Sequence, residues 1–178
     1  DSIIIGGGMA YTFMKAMGKT IGKSLVEEDK VRVAKDILEK AKAKGVNILL
    51  PVDHIIAEKP DSKDIRTVKE IPDGFAAFDI GPETLKLFGA EIKKAKTIFW
   101  NGPLGLFEVE AFSKGTFEIA KVVADSGAIS VVGGGDSVSA IKKAGVSKKI
   151  THISTGGGAS LEFIEGKELP GIAALVDK

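Results

Sequence analysis

Three glycine triplets are the most chemically suggestive feature of this sequence. Residues 6–8, 133–135 and 156–158 are all glycine, and each triplet follows a β-type run and precedes a helical pattern. Backbone without Cβ atoms lets N–H groups approach an anion closely, and the first-turn N–H groups of a helix have no partner inside it. Because each glycine also costs conformational entropy, turn chemistry alone is a poor reason for three such turns. We therefore predict that these turns bind phosphate.

Asp136 and Ser137 directly follow the second triplet and open its helical pattern. A carboxylate at this point could hold a divalent metal ion that accompanies a phosphate. The alternative is that Asp136 only caps the helix, which would stabilise it by about 1 kcal/mol. The sequence by itself leaves both explanations open.

Other polar candidates are more isolated. Asn101 follows a predicted strand and offers an amide to phosphate oxygens, although asparagine is also a common turn residue. Glu108, in the same loop, is a candidate acceptor for ribose hydroxyls. His54 and His152 lack a serine or cysteine partner in the sequence, so we expect both to be structural. Trp100 is expected to anchor the end of its strand.

Strand and helix patterns alternate along the chain, which is typical of an α/β fold with a mainly parallel sheet. Apolar runs predict strands at 3–5, 46–50, 75–80, 97–100, 129–132 and 150–154, with a short edge strand within 64–70. Apolar stripes of helical period predict helices at 10–17, 27–44, 111–125 and 159–165, and two more that begin at Pro82 and Asp136. The expected architecture is one Rossmann-like three-layer α/β/α domain over residues 1–178. Parallel strands would bring the three glycine turns to one edge of the sheet, where open α/β folds bind ligands.

Composition excludes several classes of protein. The 178 residues carry a net charge of +1, which gives no argument for nucleic acid or an anionic membrane as partner. No apolar run approaches membrane-spanning length. The absence of cysteine excludes disulfides and thiolate metal sites, and fits a cytoplasmic location. Abundant lysine and glutamate without any glutamine indicate a thermophilic source.

A dinucleotide-binding dehydrogenase is the competing enzyme class. Its Gly-x-Gly-x-x-Gly fingerprint does not occur in the sequence, and neither does the Gly-x-x-x-x-Gly-Lys-Ser/Thr loop of the P-loop nucleotide-binding proteins. Phosphate binding by these glycine turns would thus follow a different pattern from either class.

Six motifs together carry a family resemblance: GGGMAYTF at 6–13, LPVD at 50–53, DIGPET at 79–84, WNGPLGLFE at 100–108, VVGGGDS at 131–137 and STGGGASLEFIEGKELPG at 154–171. In this order, and essentially end to end, the chain resembles the C-terminal, nucleotide-binding domain of phosphoglycerate kinase. The resemblance implies magnesium-dependent phosphoryl transfer between ATP and 3-phosphoglycerate, without a covalent enzyme intermediate. It also implies catalysis by placement and charge neutralisation.

The resemblance assigns roles to individual residues. Backbone donors around the transferring phosphoryl group are implied at Gly133, Gly134, Gly135, Gly156, Gly157 and Gly158, with Gly135 and Gly158 the catalytic pair. Asp136 is implied to hold magnesium, Ser137 and Asn101 to contact the phosphates, and Glu108 to take the ribose hydroxyls. The implied lining of the adenine and ribose slot comprises Gly7, Gly8, Leu25, Phe78, Pro103 and Leu106, with Gly105 also at the nucleotide.

The family pattern is incomplete in this sequence. The N-terminal domain that carries the 3-phosphoglycerate site has no counterpart here, nor has the first strand of the nucleotide domain with its phosphate-binding lysines. We therefore expect a piece of the enzyme whose sheet is truncated at its N-terminal edge, and which also lacks the family's C-terminal segment. The alternative is a nucleotide-binding module with no catalytic activity of its own.

Overall fold

The computed structural model describes residues 1–175, so the last three residues of the expected 1–178 domain lie outside it. From residue 76 onwards strands alternate with helices, as the sequence predicts, whereas four strands follow one another between residues 47 and 80. Its strands are β1 (Ser2–Ile4), β2 (Asn47–Leu49), β3 (His54–Ala57), β4 (Arg66–Val68), β5 (Ala76–Ile80), β6 (Thr97–Asn101), β7 (Ile129–Gly133) and β8 (His152–Ser154). Its helices are α1 (Gly7–Ala16), α2 (Val31–Lys44), α3 (Pro82–Ile92), α4 (Lys114–Asp125), α5 (Gly135–Lys143), α6 (Gly157–Ile164) and α7 (Pro170–Ala173).

Three helices begin earlier than the apolar pattern predicts. The helices α1, α5 and α6 start inside their glycine triplets, at Gly7, Gly135 and Gly157. Glycine has a low helix propensity, which hid these first turns from a sequence pattern. Backbone N–H groups of the triplets are consequently first-turn donors of helices.

Two parallel sheets confirm the α/β class. β1 pairs with β2, and β7 lies between β6 and β8. In the second sheet Gly133 is level with Asn101 on one side and Ser154 on the other. The second and third glycine turns therefore leave the same sheet edge. β1 pairs with neither β6 nor β8 within residues 1–175, so the first turn leaves a different sheet.

An antiparallel sheet of order β4-β3-β5 separates the two parallel ones in sequence. The sequence predicted β5 and the edge strand β4 but missed β3, because the run His54–Ala57 shows no alternation of apolar and polar residues and follows Pro51 closely. The register of β3 against β5 shifts between Ile55 and Ile56, at a β-bulge. The expected mainly parallel sheet is thus two parallel sheets and one antiparallel sheet.

The largest hydrophobic cluster packs β6, β7 and β8 against α3, α4 and α5. Its fully buried members include Phe88, Ala120, Val132 and Ile141, and Trp100 is also buried there as the predicted anchor of β6. Full burial of each large apolar side chain contributes about 1.5–3 kcal/mol. This packing holds α3, α4 and α5 against the sheet of β6, β7 and β8. No helix within residues 1–175 is long and apolar enough to cross a membrane.

Candidate functional site

The turn between β7 and α5 requires glycine at one position only. Gly134 is the N-cap of α5 with φ of +91°, a conformation that side chains disfavour. Gly133 is buried at the end of β7. Gly135, the first helical residue, is exposed, and a Cβ atom there would meet no protein atom within 4 Å. The fold itself therefore does not explain glycine at position 135.

The turn between β8 and α6 packs directly on the previous one. Gly134 donates its N–H to the carbonyl of Ser154 at 3.2 Å. A Cβ atom at Gly157 would lie 2.7 Å from the Cα of Gly134, so this close approach explains glycine at 157. Gly156 is the N-cap of α6. Gly158 is exposed and, like Gly135, has open space where a Cβ would stand.

Asn101 bridges the second and third turns. Its Nδ2 donates to the carbonyl of Gly157 at 3.2 Å. Its Oδ1 would be 2.9 Å from a Cβ atom at Gly134. The structure therefore brings together the predicted phosphate ligands from β6, α5 and α6.

Both backbone polar groups of Gly102 are hydrogen-bonded to side chains. Its N–H donates to Ser137 Oγ at 2.6 Å, and its carbonyl accepts a hydrogen bond from Trp100 Nε1 at 2.6 Å. Ser137 is buried, and its oxygen is engaged by this loop contact. Phosphate binding by Ser137 stays a prediction. The hydrogen bond from Gly102 to Ser137 Oγ supports another role, in which Ser137 orients the neighbouring Asn101 through the backbone.

Asp136 is exposed in the first turn of α5. The alternative explanation, that it caps this helix, is wrong because the N-cap is Gly134 and no side chain caps α5. A carboxylate two residues after the cap still interacts favourably with the positive end of the helix dipole. Within residues 1–175 no three acidic, histidine or cysteine side chains form a metal cluster. Asp136 alone suits magnesium, which proteins often hold through one or two carboxylates plus ligand phosphates.

The first glycine turn joins the site through the loop that follows β6, residues 102–109. Gly7 donates its N–H to the carbonyl of Leu104 at 3.2 Å. Gly7 also has φ of +61°, and a Cβ atom there would lie 2.8 Å from the carbonyl oxygen of Pro103. The first turn therefore contacts the 102–109 loop, even though β1 lies in another sheet.

The predicted slot residues form two contacting groups. Gly8 lies against the side chain of Leu25, which is 73% exposed and so offers apolar surface to a ligand. Phe78 lies beside the loop, where Leu106 donates its N–H to the carbonyl of Phe78 at 2.7 Å. Glu108 is exposed near the end of the same loop.

Sequence reasoning missed Asp79 and Thr116, which lie beneath this loop. Asp79 accepts hydrogen bonds from the N–H groups of Ile80 and Gly115, at 2.9 and 2.7 Å. Burial raises the pKa of the Asp79 carboxyl to about 7, against the opposing effect of these two donors. Thr116 belongs to none of the quoted motifs, and Asp79 opens the motif DIGPET but was given no role there.

The two histidines lie in different sheets, His54 on β3 and His152 on β8. His54 is buried on β3 with its ring tilted against that of Tyr11, 5.7 Å away, and neither ring nitrogen has a hydrogen-bond partner. Burial lowers the pKa of His54 to about 4, so the ring is neutral at pH 7. His152 is exposed on β8.

Comparison with known proteins identifies the family. The sequence matches the phosphoglycerate kinase family over residues 1–167. It is 58% identical over 181 aligned positions to a phosphoglycerate kinase of Clostridium botulinum (strain Langeland / NCTC 10281 / Type F) and 59% identical to one of Clostridium tetani (strain Massachusetts / E88). These alignments cover 100% of this chain but 46% and 45% of the two relatives. The chain thus spans about half the length of the curated relatives it matches.

Solved structures give the same picture. Phosphoglycerate kinase from Coxiella burnetii superposes with a TM-score of 0.90 at 45% identity, over 97% of this chain and 46% of that one. The enzyme from Pyrococcus horikoshii OT3 superposes with a TM-score of 0.84 at 37% identity, over 98% and 45%. With a family match over residues 1–167 and a fold shared with these kinases, the chain belongs to the phosphoglycerate kinase family.

Proposed function

We propose that this chain binds ADP and ATP, with the phosphates at the turns around Gly135 and Gly158. The observation that carries the proposal is the open space at these two glycines. Neither has a positive φ, and neither has a protein atom within 4 Å of its Cβ position. The fold has room for a side chain at both positions. A phosphate bound to the backbone N–H groups would leave no such room, which explains glycine there.

The apolar surface beside the first turn is the proposed position of the adenine and ribose. Leu25 is exposed next to Gly8, and Phe78 and Leu106 are joined by a backbone hydrogen bond across the loop. A flat base favours such apolar contacts. Glu108, in the same loop, is proposed to accept hydrogen bonds from the ribose hydroxyls.

Magnesium is proposed to bind at Asp136, together with oxygens of the nucleotide phosphates. The ion would neutralise negative charge on the transferring phosphoryl group. The chain itself would contribute backbone N–H donors from Gly135 and Gly158, and Asn101 would hold the two turns at a fixed separation. This arrangement stabilises charge and fixes orientation without a nucleophile.

The complete reaction proposed for the parent enzyme is phosphoryl transfer between ATP and 3-phosphoglycerate, which belongs to glycolysis and implies a cytoplasmic location. Because the chain spans about half of its relatives, we propose that the 3-phosphoglycerate site lies in the remaining half. Two domains must close to bring the reactants together and exclude water. The chain alone is then a nucleotide-binding module that transfers no phosphate.

Calorimetric titration tests the nucleotide proposal. MgADP should bind the 178-residue chain, and NAD should bind far more weakly. Gly135→Val should abolish MgADP binding, because its branched side chain fills the phosphate position. Gly171→Val is the matched control, since the Cβ position of Gly171 is equally open but lies on α7. Normal ADP binding by folded Gly135→Val protein would show that the phosphates bind elsewhere.

A coupled enzyme assay tests whether the nucleotide site and the 3-phosphoglycerate site lie in different halves of the parent enzyme. The chain alone should convert no 3-phosphoglycerate, and activity should appear on mixing with a polypeptide that supplies the N-terminal half of a relative. Full activity of the chain alone would contradict the proposal. If the chain binds MgADP but no activity appears on mixing, nucleotide binding alone would be its function.

A further inference from the structure

A buried threonine holds the 102–109 loop from below. Thr116, in the first turn of α4, is fully buried. Its Oγ1 accepts hydrogen bonds from the N–H groups of Leu104 and Gly105, both at 3.1 Å. Buried N–H groups without acceptors are costly, so one hydroxyl fixes two successive peptide units of the loop.

A buried carboxylate fixes the start of α4. Asp79, which is 1% exposed on β5, accepts the N–H of Gly115 at 2.7 Å. Glycine is required at both Gly115 and Gly105, because a Cβ atom at either would overlap the Asp79 carboxylate. The carboxylate thus sets the position of the residue that precedes Thr116.

The peptide units held in this way are the ones that contact the predicted nucleotide site. The carbonyl of Leu104 accepts the N–H of Gly7, in the first glycine turn. Leu106, the next residue after Gly105, donates its N–H to Phe78. A displacement of Leu104 and Gly105 would therefore move both sides of the proposed adenine slot.

We propose that Thr116, held in place by Asp79, is a positioning residue that sets the 102–109 loop for nucleotide binding. The inference rests on the proposed nucleotide-binding function of this loop. Neither side chain needs to touch the ligand. Their effect passes through the backbone of Leu104 and Gly105.

The chain contains a second buried Asp–Thr pair that serves as an internal control, although in this pair the side chains also bond to each other, since Thr84 Oγ1 donates to Asp53 Oδ1 at 2.6 Å. Asp53 accepts the N–H groups of Glu83 and Thr84 at the start of α3, at 2.9 and 2.7 Å. Thr84 Oγ1 in turn accepts the N–H groups of Val52 and Asp53, at 2.9 and 3.1 Å. Thr84 is fully buried, as Thr116 is, but neither of its N–H donors belongs to the 102–109 loop.

The test compares Thr116→Val, Thr116→Ser and Thr84→Val in the 178-residue chain. Valine keeps the shape and removes the acceptor, whereas serine keeps the hydroxyl. Calorimetry gives the Kd for MgADP, and circular dichroism gives the unfolding midpoint. Trp100 is the single tryptophan and donates to Gly102 in the loop, so its fluorescence reports loop geometry without nucleotide.

Both valine variants should lower the unfolding midpoint, and Thr84→Val should lower it more, because it also removes the hydroxyl that donates to the buried Asp53 carboxylate. Only Thr116→Val should raise the Kd for MgADP, by about tenfold or more, since two loop N–H groups lose their acceptor. It should also be the one variant to shift the Trp100 emission. Thr116→Ser should bind within about twofold of wild type.

Equal Kd values for folded Thr116→Val and wild type would overturn the inference, as would an equal weakening by Thr84→Val. Should Thr116→Val lack a folded signal, Asp79→Asn takes its place, because asparagine keeps the shape but only one of the two oxygens. Unchanged binding and unchanged Trp100 emission in that variant would then overturn the inference. If wild type itself binds no ADP, the proposed function fails, and the Trp100 comparison still decides the positioning role.

Discussion

Asp136 carries the proposed metal role, and its geometry makes that role separable from helix capping. Asp136→Ala should weaken MgADP binding much more than binding of metal-free ADP, because a metal ligand matters only when the metal is present. The two affinities are measured by titration with and without magnesium. Glu83→Ala is the control, since Glu83 is also an exposed acid in a first helical turn, that of α3. Equal losses with and without magnesium would leave only an interaction with the helix dipole.

Glu108 is proposed to contact the ribose, so its effect should not depend on phosphate. Glu108→Ala should weaken ADP and adenosine binding alike, by roughly 1.5–3 kcal/mol for a hydrogen bond to a charged group. Competition titrations with both ligands measure the effect. Glu110→Ala is the matched control, because Glu110 is exposed two residues further along the chain. An unchanged adenosine affinity would place the ribose elsewhere.

At the scale of elements, β3 and β5 bury two titratable side chains whose effects on stability oppose each other. The pKa of His54 is about 4 in the folded chain and 6.5 when unfolded, so its contribution is present above pH 6.5 and is lost as the pH falls towards 4. The pKa of Asp79 is about 7, against 3.8 unfolded, so its contribution is present below pH 3.8 and is lost as the pH rises through 7. Each amounts to about 3–4 kcal/mol.

These opposite slopes should nearly cancel in the wild-type chain between pH 4 and 7. Replacing His54 by phenylalanine should leave a free energy of unfolding that falls as the pH rises. Asp79→Asn should leave one that falls as the pH drops. Urea titrations at several pH values measure both. Tyr11 faces both groups, and Asp53 and Lys19 also act on the pKa of His54. If the two variants show the same dependence of stability on pH, these neighbours, and not His54 and Asp79, determine it.

At the scale of the whole molecule, the two parallel sheets present strands that are paired on one side. Within residues 1–175, β1 pairs with β2 alone and β6 with β7 alone. Ile3, on β1, is 48% exposed. Such edges favour association with other chains, so the isolated chain should self-associate as its concentration rises.

Sedimentation velocity over a range of concentrations checks this prediction. Ile3→Lys should reduce the association, because edge lysines oppose strand pairing. Leu87→Lys is the control, as Leu87 is 39% exposed on the helix α3 and not on a strand edge. A monomer at all concentrations would mean that these edges are protected.

The sequence by itself determined the α/β class, the three glycine turns and the family. These features are local, because a β-type run, a triplet of glycines and a helical stripe each extend over a few residues. Asn101 and Asp136 were predicted as candidate ligands for the same reason, since each stands directly next to such a pattern. The antiparallel β3 was missed because His54–Ala57 shows no alternation of apolar and polar residues and follows Pro51 closely.

Only the tertiary structure decided which glycines the fold needs and what holds the site in place. Glycine at 157 is explained by the close approach of its backbone to Gly134, whereas the Cβ position of Gly135 faces open space. In the sequence these three glycines cannot be told apart. The contact from Asp79 to Gly115 joins residues 36 apart in sequence, and that from Ser137 to Gly102 joins residues 35 apart. A hydrogen bond depends on distance and direction between atoms, and for partners so far apart along the chain these are set by the packing of helices against the sheets.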